Sequence, residues 1–412
     1  VNSVHEPGSL IFNLELTPGI DNATLQHERN RWAKQHTSMI VPKSDHANDR
    51  TPDRKLRIGY VSADFREHSA AYVFGGMLIH FDRANFEVFA YSNCELEDGI
   101  TRQFQESVTC WRNIHRMSDD EAAAVIVKDK IDILVDLSGH SGGNRLLLFA
   151  RKPAPIQCTG WGYATSTGLK AIDYFFTDRF CVPESERHYY TEKVSYLPCL
   201  VSSWFPFRFP EVGPPPALKK GYVTFGCFNR LAKISDMALD AWCEILRRLP
   251  AARMIIKCGE FDKPENKYRI RDFFISNGIE ADRFSLIGVT PKLEHIASFN
   301  MIDIALDPFP QCGGVTALEG LMMGVPLVVM RGDTITGRGA SSILSNIHCK
   351  HWIANTVDEY VDIALSFSDY NDLEFYREVL RHNFKYSMVG DTTKYVQYPE
   401  MTYREMWREY LQ

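Results

Sequence analysis

A chain of 412 residues is longer than one hydrophobic core usually serves, so two or three domains are expected. Its 45% hydrophobic and 24% charged residues are those of an ordinary globular protein, and a formal net charge of -6 argues against a nucleic-acid partner held by bulk electrostatics. Ten cysteines scattered without a CxxC pair suggest neither a zinc site nor a disulfide framework; they read as free thiols, and the expected location is cytoplasmic. No run approaches the roughly 18 consecutive apolar residues of a membrane span, and no signal peptide is legible. The first residue is Val rather than Met, which suggests a processed or excised part of a longer protein.

Residues 1–53 read as a partly helical N-terminal segment and linker. "NATLQHERNRWAKQHT" offers a helix cap at Asn22, but its apolar positions are too sparse for an independent core, and "PKSDHANDRTPDRK" marks a boundary near residue 54. Short runs rich in Val, Ile, Tyr and Phe follow at 56–64, 86–93, 131–139 and 171–178, separated by segments of helical period. A Pro-rich and Gly-rich stretch at 205–221 interrupts them. The alternation restarts with strands predicted at 222–229, 253–258, 283–289, 302–308 and 325–332, and helices at 235–248, 264–277, 292–300 and 314–323. The pattern is that of an α/β protein with two doubly wound, Rossmann-like domains, 54–210 and 218–412, with ligands expected in a cleft at the carboxyl ends of parallel strands. No repeat of about 34 residues is present.

The motifs exclude several chemistries. The first strand runs into "SADFREHSA" with no glycine, and no other glycine cluster completes GxGxxG, so a dinucleotide site is not indicated. No GxxxxGK[ST] loop occurs. No Asp-x-Asp pair occurs either, which points to phosphate handling without a metal.

Three segments of the second half could hold an anion. In "DPFPQCGGVTALEGLMMGVP", Gly313 and Gly314 let backbone approach closely, and Val315, Thr316 and Ala317 open a helix whose N–H groups and dipole favour negative charge. Glu319, one turn on, could accept from sugar hydroxyls. "FGCFNRLAKIS" carries Arg230 and Lys233 past a strand end, where an amine could neutralise a leaving phosphate. "VTPKLEHIASFN" places Lys292 and His295 three residues apart at a helix start. Each segment alone reads equally as an ordinary turn or surface feature. In the first half, "SADFREHSA" ends a strand with Asp64, Glu67 and His68, the last a candidate for polarising an acceptor hydroxyl. "LSGHSGGNR" adds His140, Asn144 and Arg145 at a second strand end.

Taken together, these segments resemble the catalytic region of the glycosyltransferase family that holds protein O-GlcNAc transferase and the protein O-fucosyltransferase SPINDLY. The resemblance runs from about Leu56 to Leu411. It is carried by "RIGYVSADFREHS", "DKIDILVDLSGHSGGNR", "KPAPIQCTGWGYATSTG", "GYVTFGCFNRLAKI", "DIALDPFPQCGGVTALEGLMMGVPLVV" and "YREMWREY". It implies the GT-B fold of two Rossmann-like domains and a metal-independent inverting transfer from a nucleotide-diphosphate sugar to Ser or Thr hydroxyls of proteins. No cofactor beyond the nucleotide sugar is implied. The implied partners are that donor and a protein or peptide acceptor.

By position, the resemblance makes His68 the active-site histidine near the acceptor and Lys233 the lysine on the donor diphosphate. Lys292 and His295 fall near ribose and base, and Thr316 on a diphosphate-binding threonine. Arg230, Gly313, Gly314, Val315 and Glu319 fall around the donor, and His140, Gly162 and Tyr163 on the acceptor side. O-GlcNAc transferase carries Gln and Tyr where this chain has Arg230 and Ala232, His-Thr at Gly314 and Val315, Asp at Glu319, Arg at Ser298 and Pro at Ala164. Ala232, Glu319 and "LAKI" match the fucosyltransferase branch instead. UDP-GlcNAc is the leading donor and GDP-fucose the alternative. Asn-linked glucose transfer, a sugar-nucleotide epimerase and a non-catalytic binding module remain open. The family usually carries tetratricopeptide repeats before the catalytic region, and residues 1–50 look like the joint to which they attach.

Overall fold

The computed structural model describes residues 6–412, which form two compact units: the chain up to Pro206 together with Met388–Gln412, and Phe207–Ser387. In the first, seven parallel strands form one sheet: β1 Leu56–Ser62, β2 Phe86–Ser92, β3 Cys110–Asn113, β4 Ile133–Asp136, β5 Ile156–Thr159, β6 Tyr174–Thr177 and β7 Lys193–Tyr196. Their order is β3-β2-β1-β4-β5-β6-β7. The direction of strand addition therefore reverses between β1 and β4, which is where doubly wound sheets open a crevice. Every residue of β4 and β5 is buried, as expected of strands covered on both faces.

The helix Asn22–Thr37 is capped by Asp21, whose carboxylate accepts the Thr24 N–H at 2.7 Å, one residue before the cap expected from sequence. Leu25, Trp32 and Ala33 on this helix and Ile11 on the helix before it are buried, and Ile11, Trp32 and Ala33 join a cluster with Ile126, Phe149 and Leu169. The segment thus completes a core it could not build alone.

The C-terminal helix, Thr392–Leu411, corrects the expected domain limits: it belongs to the first unit, not to the domain beginning at 218. Its buried face carries Tyr395, Val396, Tyr403, Met406 and Trp407. Tyr403 Oη meets Tyr60 Oη of β1 at 3.2 Å, and Cys158 of β5 lies against Met406. An aromatic stripe of that size finds its complement on the first sheet.

The second unit repeats the plan with β8 Thr224–Cys227, β9 Arg253–Lys257, β10 Phe284–Ile287, β11 Ile304–Leu306, β12 Leu327–Met330 and β13 Ile353–Ala354. All are parallel, in the order β10-β9-β8-β11-β12-β13, with the reversal between β8 and β11. The sequence pattern found β1, β2, β4, β6 and β8 to β12 and missed β3, β5, β7 and β13, runs of two to four residues.

Candidate active site

At the reversal point of the second sheet, β8 runs into Phe228, Asn229 and Arg230, and β11 into Asp307. The helix Val315–Met322 starts beside both. Gly314 stands at its N-cap without a side-chain hydrogen bond, and the residues from Gly314 to Thr316 reach solvent. The first N–H groups of a helix have no partner within it, so this end is a ready anion seat.

Three side chains frame it. Thr316 Oγ1 donates to Asn229 Oδ1 at 2.9 Å, and Lys233 Nζ donates to the Cys312 carbonyl at 2.7 Å. The Asp307 carboxylate, 1% exposed, accepts the Gly313 N–H on both oxygens at 2.9 and 3.0 Å. A Cβ on Gly313 would come within 2.6 Å of Asp307 Oδ1 and 2.9 Å of Thr316 Oγ1, so only glycine lets the turn fold onto the carboxylate. Burial pulls the Lys233 ammonium below the usual lysine range, opposed by nearby Asp307. Burial pushes Asp307 up to about 7, opposed by the Gly313 N–H and by Lys233.

One turn along the same helix, Glu319 is 1% exposed and ion-paired with Lys292, while His295 Nε2 lies 3.2 Å from its other oxygen. Phe228 and Phe299 flank the imidazole. Both carboxylate oxygens are thus engaged inside the protein, which corrects the expectation that Glu319 is offered to sugar hydroxyls: it holds Lys292 and His295 instead. The single helix joins the two groups, because Thr316 and Glu319 are three residues apart and share a face. Arg230 is exposed at the start of the 3-10 turn Leu231–Lys233.

In the first unit, the loop after β1 carries His68, whose side chain is 40% exposed; its Nδ1 lies 3.4 Å from Asp64 Oδ1 and accepts the Ala70 N–H at 3.2 Å. After β4, the fully buried Asp136 accepts from Ser138 N, Gly139 N and Thr159 Oγ1, and burial pushes its carboxyl above the usual range. This wraps the next loop tightly and carries His140 inward. His140 is 1% exposed, its Nε2 2.8 Å from the Thr167 carbonyl and its ring edge-on to Trp32 at 4.9 Å. Burial holds its pKa down to about 3. Its place on the acceptor side is therefore corrected to a neutral core histidine. Arg145 likewise spends its guanidinium on Asp119, Asn93 and the carbonyls of Ile114 and Met117.

The loop after β5 holds Gly162 and Tyr163. A Cβ on Gly162 would lie 1.9 Å from the Leu137 carbonyl oxygen, so this glycine is where the loops after β4 and β5 touch. Before it, Trp161 sits at φ 61°, buried, its indole N–H donating to Tyr395 Oη at 2.9 Å. A bulky residue in that conformation persists only where its surroundings hold it. Tyr163 Oη donates to Glu15 Oε2 at 2.5 Å, and Glu15 is ion-paired with buried Arg29.

A family model described as glycosyl transferase family 41 matches residues 2–205 and 217–398. The chain belongs to glycosyl transferase family 41. It is 34% identical over 404 residues to the probable UDP-N-acetylglucosamine–peptide N-acetylglucosaminyltransferase SPINDLY of Petunia hybrida, covering 96% of this chain and 43% of that protein. To the Arabidopsis thaliana relative SEC, which carries the same enzyme description, it is 31% identical over 371 residues, covering 86% and 37%. The chain thus spans less than half the length of these plant relatives. The solved structure of a Thermobaculum terrenum O-GlcNAc transferase mutant superposes with a TM-score of 0.94 at 33% identity, covering 100% of this chain and 78% of that one.

Within this family 41 chain, sequence reasoning named Lys233, Gly313 and Thr316 but passed over Asn229 and Asp307, which complete the same cluster. Both lie in segments already singled out, and their position just past the strands flanking the reversal was the available signal. Among the described residues, no three His, Cys, Asp or Glu side chains gather to hold a metal ion. None of the described helices is long and apolar enough to cross a membrane.

Proposed function

We propose that this chain is a metal-independent inverting glycosyltransferase that moves GlcNAc from UDP-GlcNAc to Ser or Thr hydroxyls of a protein. The observation that carries the reading is the uncapped start of the helix Val315–Met322, with Thr316 and Lys233 beside it at the reversal point of the second sheet. Its N–H groups and the Lys233 ammonium would hold the donor diphosphate. Lys292 and His295, fixed by Glu319, would face the nucleoside. In transfer, the acceptor oxygen bonds to the anomeric carbon as the carbon–oxygen bond to the diphosphate breaks. UDP leaves with that electron pair, and the hydroxyl proton passes to a base. Charge developing on the departing diphosphate is where fixed donors stabilise the transition state most. His68, half exposed beside Asp64, would act on the acceptor hydroxyl. The names of the plant relatives, which specify a UDP-N-acetylglucosamine donor and a peptide acceptor, support this assignment.

A GDP-fucose donor is the second reading. Ala232 and Glu319 favour it, because both match the fucosyltransferase branch.

Calorimetry of UDP and GDP binding, with and without excess chelator, tests the assignment. Tighter UDP binding that survives chelation supports GlcNAc transfer; tighter GDP binding shifts the donor to fucose. Nucleotide release that requires added peptide separates a transferase from an epimerase, and absence of binding by either nucleotide sinks the enzymatic reading.

A further inference from the structure

Asp307 is a buried carboxylate placed against an anion seat, an arrangement the transfer reaction does not by itself require. Its two oxygens share one N–H, that of Gly313, and no cation among the described residues lies within 4 Å of them. The nearest cation, Lys233, directs its ammonium to the Cys312 carbonyl instead. The other titratable groups facing Asp307 are the thiols of Cys227 on β8 and Cys312 before the helix, and the phenol of Tyr360 on the helix Val357–Ser366. Burial pushes all three above their ordinary values. Near neutral pH they carry no charge, so the electrostatics of the pocket reduce to Asp307 against Lys233, with Arg230 at the exposed rim.

Resting on the donor-site reading above, we infer that Asp307 takes a proton from solvent when the donor diphosphate settles on the helix N-terminus, and returns it when the nucleotide leaves. A nucleotide sugar brings two negative charges beside a carboxylate that shares a single N–H. Leaving Asp307 ionised would set Lys233 against three negative charges, whereas one proton reduces them to two and leaves the ammonium to the diphosphate. The Gly313 N–H stays bonded in either state, because a protonated carboxyl retains a carbonyl oxygen that accepts it. The turn that shapes the seat is thus preserved while the charge changes.

Burial pushes the free carboxyl up to about 7, so its protonation falls with rising pH through the neutral range. Donor binding is then expected to take up a fraction of a proton that grows from pH 7 to pH 8 toward one, with affinity weakening by up to about tenfold over that interval. The test is calorimetric titration of the whole chain with UDP-GlcNAc and with GDP-fucose, whose diphosphates do not themselves titrate in this range. Titrations use buffers of different ionisation enthalpy at pH 7 and 8, and are repeated on Asp307→Asn. Uptake of that size in the wild type that disappears in Asp307→Asn supports the inference. Binding heats independent of buffer in the wild type overturn it whatever the variant does, and uptake that persists in Asp307→Asn overturns it by assigning the proton elsewhere. Failure of both donors to bind at either pH overturns the donor-site reading itself, and this inference with it.

Discussion

Replacing Arg29 by Met should loosen the N-terminal helices and the loop that carries Tyr163. Arg29 is 2% exposed and ion-paired with the equally buried Glu15, whose second oxygen accepts the Tyr163 hydroxyl. Met preserves much of the side-chain volume but strands the Glu15 charge with one phenol for a partner, and removing one member of a buried pair costs about 3–5 kcal/mol. For a unit of this size that corresponds to a fall of roughly 6–20 °C in Tm. Amide exchange across 22–37 and 160–168 should accelerate by roughly 10²- to 5 × 10³-fold if opening is local. Replacing both partners, Glu15→Leu with Arg29→Met, should recover part of the loss, because an apolar substitute for a buried pair is often close to neutral; what remains is about 1–3 kcal/mol for the unpaired Tyr163 hydroxyl. Thermal unfolding by circular dichroism and exchange by mass spectrometry measure both quantities. A double variant less stable than Arg29→Met alone would refute the reasoning, since it would mean that the pair contributes through packing and not through charge.

Lys233→Ala should lower kcat with saturating donor by on the order of a hundredfold or more, as loss of a single oxyanion donor does; turnover near wild type would remove it from the donor site. His68→Ala should lose roughly 10²–10⁴-fold in kcat if the imidazole takes part in proton transfer, whereas a ratio near unity makes it structural. Gly162→Ala should destabilise the first unit by about 1–3 kcal/mol in chemical denaturation, because the added methyl meets the Leu137 carbonyl; an unchanged midpoint would show that the loops after β4 and β5 part freely. Glu400, which accepts the Asp82 N–H at 2.7 Å, has its carboxyl pushed up by burial to about 7 from an ordinary 4.5. The stability gained by the protonated form is complete below about pH 4.5 and is lost as pH rises through about 7. Glu400→Gln should therefore flatten that decline and leave the protein more stable than wild type at pH 8, as read from urea midpoints; a parallel pH profile would contradict it.

Much of the architecture was legible from apolar runs such as those of β1 and β2, which alternate with helical segments. The cluster around the start of the helix Val315–Met322 was legible in part because Gly313, Thr316 and Lys233 stand just past such runs. Glu319 and His140 were misjudged for one reason: residue type announces polarity, but exposure depends on what packs above it. A glutamate one turn into an open helix looks available until Lys292 and His295 close over it. A histidine after a strand looks poised until Asp136 folds its loop inward and Trp32 covers the ring.

By itself the sequence determined the α/β class, the break between two doubly wound halves and the family, because these depend on periodicity and on ordered motifs along the chain. Only the tertiary structure decided that the final helix returns to the first unit, that Glu15 and Arg29 tie the N-terminal helices to the Tyr163 loop, and that Asp307 stands buried against the anion seat. The final helix joins residues as distant in sequence as Tyr60 and Tyr403, while Glu15–Arg29 and Asp307–Gly313 are nearer neighbours; in all three the energies turn on desolvation, which is a property of the folded surroundings and not of any residue alone.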